Sequence, residues 1–227
     1  MAGAGKKTFT AGEVLTASDV NTYLMEQSVM VFGGTAARSS AIPTPSEGMT
    51  SYRTDTQQIE SYDGAEWRGM SGLQLVKKQT IGSGVSSITV TGAFSSSYDN
   101  YKIIISGGSS SAGSYLNTIL GSVTTGYNAG YLGFTYASTT SNAGQNNGAA
   151  WAYSFFADGS NGINGSMELL NPFAAKPTYF NSTCATNLQG LTGQGFNTSS
   201  TSFTAFTITT NGPTLTGGTI YVYGYGV

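Results

Sequence analysis

Beyond residue 79 the chain carries only five charged side chains, Asp99, Lys102, Asp158, Glu168 and Lys176, over nearly 150 positions. A stretch with so little charge must draw its solubility from Ser, Thr, Asn and Gln. Its apolar residues recur with period two in short runs, bounded by Gly-rich or Asn-rich turns, which is a strand pattern. Tyr101–Ser106 puts Tyr101, Ile103 and Ile105 on one face. Thr219–Tyr225 sets Ile220 and Val222 against Tyr221, Tyr223 and Tyr225, and Ser202–Thr209 sets Phe206 and Ile208 against Phe203, Ala205 and Thr207. Trp151–Phe156 is expected to share Trp151, Tyr153 and Phe155 on one face. With the weaker runs at 73–76, 87–90, 115–123, 131–136, 166–170 and 178–186, this makes about eight to ten strands and no helix. The pattern predicts a mainly β fold whose residues 73–227 form a jelly-roll-like β-sandwich. Two stretches read as long loops, Gly107–Gly113 and Ala137–Gly148.

The region before the sandwich divides into two. Residues 1–41 are expected to form an anchor segment with one short helix inside Phe9–Val31. Thr16 and Asp19 match a capping box, and Val20, Tyr23, Leu24, Met30 and Val31 follow the helical period, with Gln27 the exception. Gly33-Gly34 ends it. Val20, Leu24 and Met30 are the candidate anchor or oligomerisation residues. Residues 42–72 form a Pro-rich entry and a hairpin adaptor. Pro43 and Pro45 hold the backbone extended. Strands at Met49–Arg53 and Ile59–Tyr62 flank a polar turn, and Asp63-Gly64 starts another. A lone hairpin needs something to pack on.

Composition excludes several chemistries. There is no His, so no His-based general base, triad or metal site. One cysteine, Cys184, permits neither an intrachain disulfide nor a cysteine zinc site. Net charge is −2, which offers no electrostatic footprint for nucleic acid. No phosphate loop, cofactor fingerprint or Gly-x-Ser-x-Gly elbow occurs. Asp158-Gly-Ser-Asn-Gly162 lacks the acids of a calcium loop and reads as a turn. A glycosidase needs paired carboxylates; the tail offers Asp99 and Asp158, both in expected turns, and Glu168 on an expected strand, with Asp158 and Glu168 the pair to test. No run is long and apolar enough to insert in a membrane, and Met1–Lys7 lacks the apolar core of a secretory signal. Aromatics and amides around the second long loop, Tyr136, Asn142, Gln145, Asn146 and Trp151, are the candidate glycan- or host-binding residues: sugar rings stack on aromatics while amides bind their hydroxyls.

Phe9-Thr-Ala-Gly-Glu-Val-Leu-Thr-Ala-Ser-Asp-Val-Asn-Thr-Tyr-Leu24 with Gln27–Phe32 resembles the opening of tail-associated virion proteins of bacteriophages, especially minor tail proteins of phages of actinobacteria. Pro45-Ser-Glu-Gly-Met49 with Ile59–Trp67 is similar to the hairpin linker of those proteins. Gly218–Tyr225 and Glu168–Pro172 are similar to strands in C-terminal domains of phage fibres. The resemblance covers residues 9–67 well and the remainder loosely. It implies a non-enzymatic structural component of a phage virion, a homotrimeric tail fibre or tail-tip protein. Such a protein docks on other tail or capsid proteins and attaches to a host cell-surface glycan. It is made in the host cytoplasm and is found in the virion. Two alternatives stay open: a head, collar or tail decoration protein with no ligand, and a polysaccharide depolymerase.

Overall fold

The computed structural model describes residues 7–25, 28–70, 72–137, 139–159, 162–187 and 189–225. The chain divides after Gly72 into two compact units. No helix among the described residues is long and apolar enough to cross a membrane.

The first unit opens with the expected cap. The Thr16 hydroxyl accepts from the Asp19 N–H at 3.1 Å, and the Asp19 carboxylate accepts from the Thr16 N–H at 3.2 Å. This reciprocal cap starts α1, Ala17–Val20, which runs into a π-type turn, Asn21–Met25. The helix does not reach Val31. Met30–Phe32 is strand β1, so Met30 is not a helical anchor residue. Val29 and Val31 are β-branched and favour extended backbone, and β1 finds a strand to pair with. Gln27 lies outside the described residues. Gly33-Gly34 leads into a second helix, α2, Thr35–Ala41.

The hairpin forms from β2, Thr50–Arg53, and β3, Gln58–Tyr62, but it is not alone. β4, Trp67–Gly69, returns along β3, and β1 joins β2 in parallel, giving the order β1-β2-β3-β4. The Asp63 carboxylate accepts from the N–H groups of Ala65 and Glu66 at 2.9 and 2.7 Å. That fixes the turn into β4 and, with Arg68, holds the Asp63 carboxyl well below the usual carboxylate range. The centre of this unit is ionic. Arg38 on α2 donates to Glu60 on β3, both buried, and its guanidinium lies 4.6 Å from the Trp67 ring centroid. Arg53 bonds the other Glu60 oxygen at 3.1 Å. Val14, Leu15, Leu24, Met25, Val31 and Met70 are all exposed, while Val20 is half-buried.

The second unit is a sandwich. Its strands are β5 Leu73–Thr80, β6 Ser87–Thr91, β7 Asn100–Gly107, β8 Ser109–Ser110 and β9 Ser114–Leu120. There follow β10 Tyr127–Thr135, β11 Thr140–Gly148, β12 Trp151–Ala157, β13 Ile163–Leu170 and β14 Thr178–Ala185. Last come β15 Gln189–Asn197, β16 Ala205–Thr210, β17 Leu215–Thr216 and β18 Thr219–Tyr225. One sheet runs β6-β16-β9-β12. The other runs β5-β18-β7-β13-β14-β15-β10-β11, and the two meet at a corner where Ala157 of β12 pairs with Ile163 of β13. All these pairings are antiparallel. Counting β6, β7, β9, β10, β11, β12, β13 and β16 as strands one to eight, the first sheet has the order 1-8-3-6. The second has 2-7-4-5, with the hairpin β14–β15 inserted between strands seven and four. These are the two interlocked Greek keys of a jelly roll. β5 and β18 extend the edge beside β7.

The alternating residues supply the core. Tyr101, Ile103 and Ile105 of β7, Phe206 and Ile208 of β16, and Ile220 and Val222 of β18 are buried. Trp151 is 0% exposed, with its ring 4.5 Å from Phe180 and 5.4 Å from Tyr127. It is a core residue and not part of a binding surface. Tyr153 does not share its face: the β12–β9 register shifts between Trp151 and Phe155, and Tyr153 takes a φ of 63° there. This turns its ring against Tyr115 and Tyr131, at 4.8 and 4.4 Å. Both expected loops contain strands. Ser109–Ser110 pairs with β17, and most of Ala137–Gly148 is β11, an edge strand held by backbone bonds to β10.

Candidate ligand-binding face

Two inward positions of β15, Gly193 and Gly195, lie between the buried Leu191 and Asn197 and carry no side chain. A Cβ on Gly195 would stand 2.1 Å from the Asn128 carbonyl oxygen and 2.8 Å from the Phe180 ring, so only glycine fits. Gly193 is similarly close to Ser182 and to the Tyr153 carbonyl. Thr192, Gln194 and Phe196 point outward from the same strand. They meet the outward residues of the neighbouring strands in register. Leu132 lies opposite Thr192, and Asn128 opposite Phe196. Tyr179 lies opposite Phe196, and Asn181 opposite Gln194. Leu170 of β13 lies opposite Tyr179.

The result is an open groove of about 810 Å³ across β10, β15, β14 and β13. Tyr179 and Phe196 are 48% and 38% exposed, and their ring centroids are 5.9 Å apart at 33°. Leu132 and Phe134 extend the apolar strip at 52% and 50% exposure. An uncovered face of this kind on a sheet marks an interaction surface. Asn128, Gln145, Asn181 and Gln194 bring amides to its lining, and among the described residues no Asp, Glu, Lys or Arg lines it.

The residues expected from sequence fall differently. Asn142 is exposed on β11 opposite Leu132, beside the groove. Gln145 lines the groove, but its Oε1 also accepts from the Ala152 N–H at 3.0 Å, which ties β11 to β12. Asn146 is exposed on the same strand. Tyr136 is 58% exposed just past β10, with its ring 5.9 Å from that of Phe134. Trp151 is in the core. Tyr179, Asn181, Gln194 and Phe196 escaped the sequence reading. The signal for Gln194 and Phe196 is their alternation with Gly193 and Gly195 along 193–196, which reverses the ordinary inside-large pattern there.

Charge appears on β13, at the edge of the groove. Glu168 lies opposite Asn181 on β13, and Lys102 of β7 lies opposite Glu168. The Tyr225 hydroxyl donates to Glu168 Oε1 at 2.5 Å; burial first, and the carboxylate second, push the Tyr225 phenol up to about 12. Asp158 is buried at the corner beside Ile163, five strand positions from Glu168, a rise of roughly 17 Å. Carboxylates that cleave a glycosidic bond stand within roughly 10 Å of each other, so these two do not form a pair. Cys184 is buried, and burial pushes its thiol up to about 11, which disfavours the thiolate. Among the described residues no group of three or more His, Cys, Asp or Glu could hold a metal ion. Ser160 and Asn161, in the turn weighed for calcium, lie outside the described residues.

Set against protein-family models, curated proteins and solved structures, the chain matches none.

Proposed function

We propose that this chain is a structural attachment protein of a bacteriophage virion. Its first unit self-associates and docks on other tail proteins, and its jelly roll presents the β10–β15–β14 face to a host-surface glycan. The observation that carries the binding role is the groove itself, where exposed rings alternate with amides on rigid strands rather than on loops. Rings cover the apolar face of a sugar and amides satisfy its hydroxyls. The exposed apolar side chains of the first unit support the docking role, since an isolated small unit gains little from displaying them.

The test uses the full chain, fluorescently labelled, on intact bacteria and on the same bacteria after periodate oxidation of surface sugars. Binding that disappears with periodate, and with the double variant Tyr179→Ala/Phe196→Ala, supports the proposal. Binding indifferent to both treatments, or no binding to any strain of a broad panel, overturns it. Light scattering tests the assembly: the chain mass is 23.5 kDa, and a homotrimer scatters at three times that mass.

A decoration protein without a ligand is the second reading. It is favoured by the first unit, whose exposed apolar side chains call for a particle surface and need no sugar. Particles that carry the double variant and adsorb normally would select it.

A further inference from the structure

We infer that the groove on β10, β15 and β14 takes an uncharged glycan and rejects acidic ones; this rests on the attachment reading above. The lining offers Tyr179 and Phe196 as stacking surfaces, with Asn128, Asn181, Gln194 and Thr192 between and around them. The Asn181 and Gln194 amides each donate and accept, as a sugar hydroxyl does, whereas Asn128 is bonded to the Gly126 carbonyl and the Asn147 N–H, and the Thr192 hydroxyl donates to the Ser182 carbonyl. None carries charge. The charged side chain nearest in register is Glu168, opposite Asn181. Its partner is the neutral Tyr225 hydroxyl, so its negative charge stays uncancelled by that bond. The nearest cation in register, Lys102, is a strand further out, beyond Glu168. A carboxylated, sulfated or phosphorylated sugar entering the groove gives up water, finds no cation among the described lining residues and approaches a carboxylate. Desolvation and like-charge repulsion both oppose it. A neutral sugar meets neither cost. The alternation of ring and amide also favours a polyhydroxylated ligand over the apolar face of a second copy of this chain, which would leave the central amides without partners.

Surface polysaccharide is extracted from bacteria that bind the full chain and split by anion exchange into a neutral and an acidic fraction. Each competes with labelled chain for those cells. The neutral fraction is expected to compete, with an inhibitory concentration that changes by less than about twofold when salt is raised severalfold. Tyr179→Ala is expected to weaken that competition by about tenfold, equivalent to losing one good ring contact. Competition by the acidic fraction instead, declining steeply with salt, overturns the inference and leaves glycan attachment standing. Competition by neither fraction overturns the attachment reading itself. A change of solution mass in Tyr179→Ala, with no competition by sugar, identifies the face as an interface between copies and also overturns the inference.

Discussion

Arg38 and Glu60, on helix α2 and strand β3, form a buried ion pair at the centre of the first unit. Desolvation, and after it the nearby Arg53 charge, lower the Arg38 pKa from its ordinary value. Glu60 is held from both sides, since Arg53 reaches its second oxygen. Removing the carboxylate therefore orphans more charge than removing Arg38. Glu60→Gln is expected to destabilise the unit by about 4 kcal/mol and Arg38→Met by about 3 kcal/mol. The chain has two tryptophans, one in each unit, so urea titration of a Trp151→Phe background reads the first unit through Trp67. Arg38→Met at least as stable as its parent would contradict a stabilising pair.

Trp151 fills the core between Phe180 and Tyr127, and its indole N–H has no acceptor among the described residues. Trp151→Ala is expected to cost about 4 kcal/mol, through lost burial and the cavity left behind. Trp151→Phe is expected to cost less, because it removes the unpaired N–H along with the ring volume. Tyr136→Ala, at an exposed position, is expected to change stability by no more than about 0.5 kcal/mol. Urea midpoints followed by circular dichroism check all three.

Gly195 is where the fold makes room for the groove. Gly195→Ala drives a methyl into the Asn128 carbonyl, a backbone atom that cannot swing aside, and is expected to cost about 2 kcal/mol. Gly33→Ala, with nothing within 4 Å of the added carbon, is the control and is expected to stay within about 0.5 kcal/mol of wild type.

Alkaline pH is expected to weaken the jelly roll. Burial is the first cause raising Tyr115, Tyr127 and Tyr225 to about 12 from an ordinary 10.0, and Cys184 to about 11 from 9.0. The unfolded chain therefore sheds these protons first. Between the two pKa values it binds fewer protons than the native state, so stability falls as pH rises. The contribution is whole below pH 9, declines as Cys184 and then the tyrosines cross their unfolded values, and is gone above 12. A urea midpoint level from neutrality to pH 9 and falling beyond it bears this out; one that rises between pH 10 and 11 contradicts it.

The jelly roll was legible wherever side-chain burial drives a strand. Ile220 and Val222, or Phe206 and Ile208, announce their inner faces because hydrophobic burial imposes period two. β11 was not legible. Its residues, Thr140–Gly148, bury little, and backbone bonds to β10 alone make them a strand, which no side-chain period reports. β1 was hidden for a related reason: Met30 fits a helical stripe as well as a strand, and only its parallel pairing with Ser51 decides. In the sequence Trp151 flanks an apparent loop, because 137–148 carries no side-chain period. Once β11 is a strand, β12 follows it directly into the core. The groove was half legible. Asn142 and Gln145 came from composition around the supposed loop, whereas Phe196 sits outward on a strand with Gly193 and Gly195 inward, and Tyr179 becomes part of a surface only through its pairing with Phe196.

The attachment claim stands or falls on whether Tyr179 and Phe196 meet sugar. The direct measurement is a bacterial glycan microarray probed with the labelled full chain and, in parallel, with Tyr179→Ala/Phe196→Ala, after confirming by circular dichroism that both are folded. Retention on a set of uncharged glycans by the wild type, lost from the same spots by the folded double variant, is the expected result. Equal retention by both proteins, or none by the wild type, would contradict a glycan-binding role for this face.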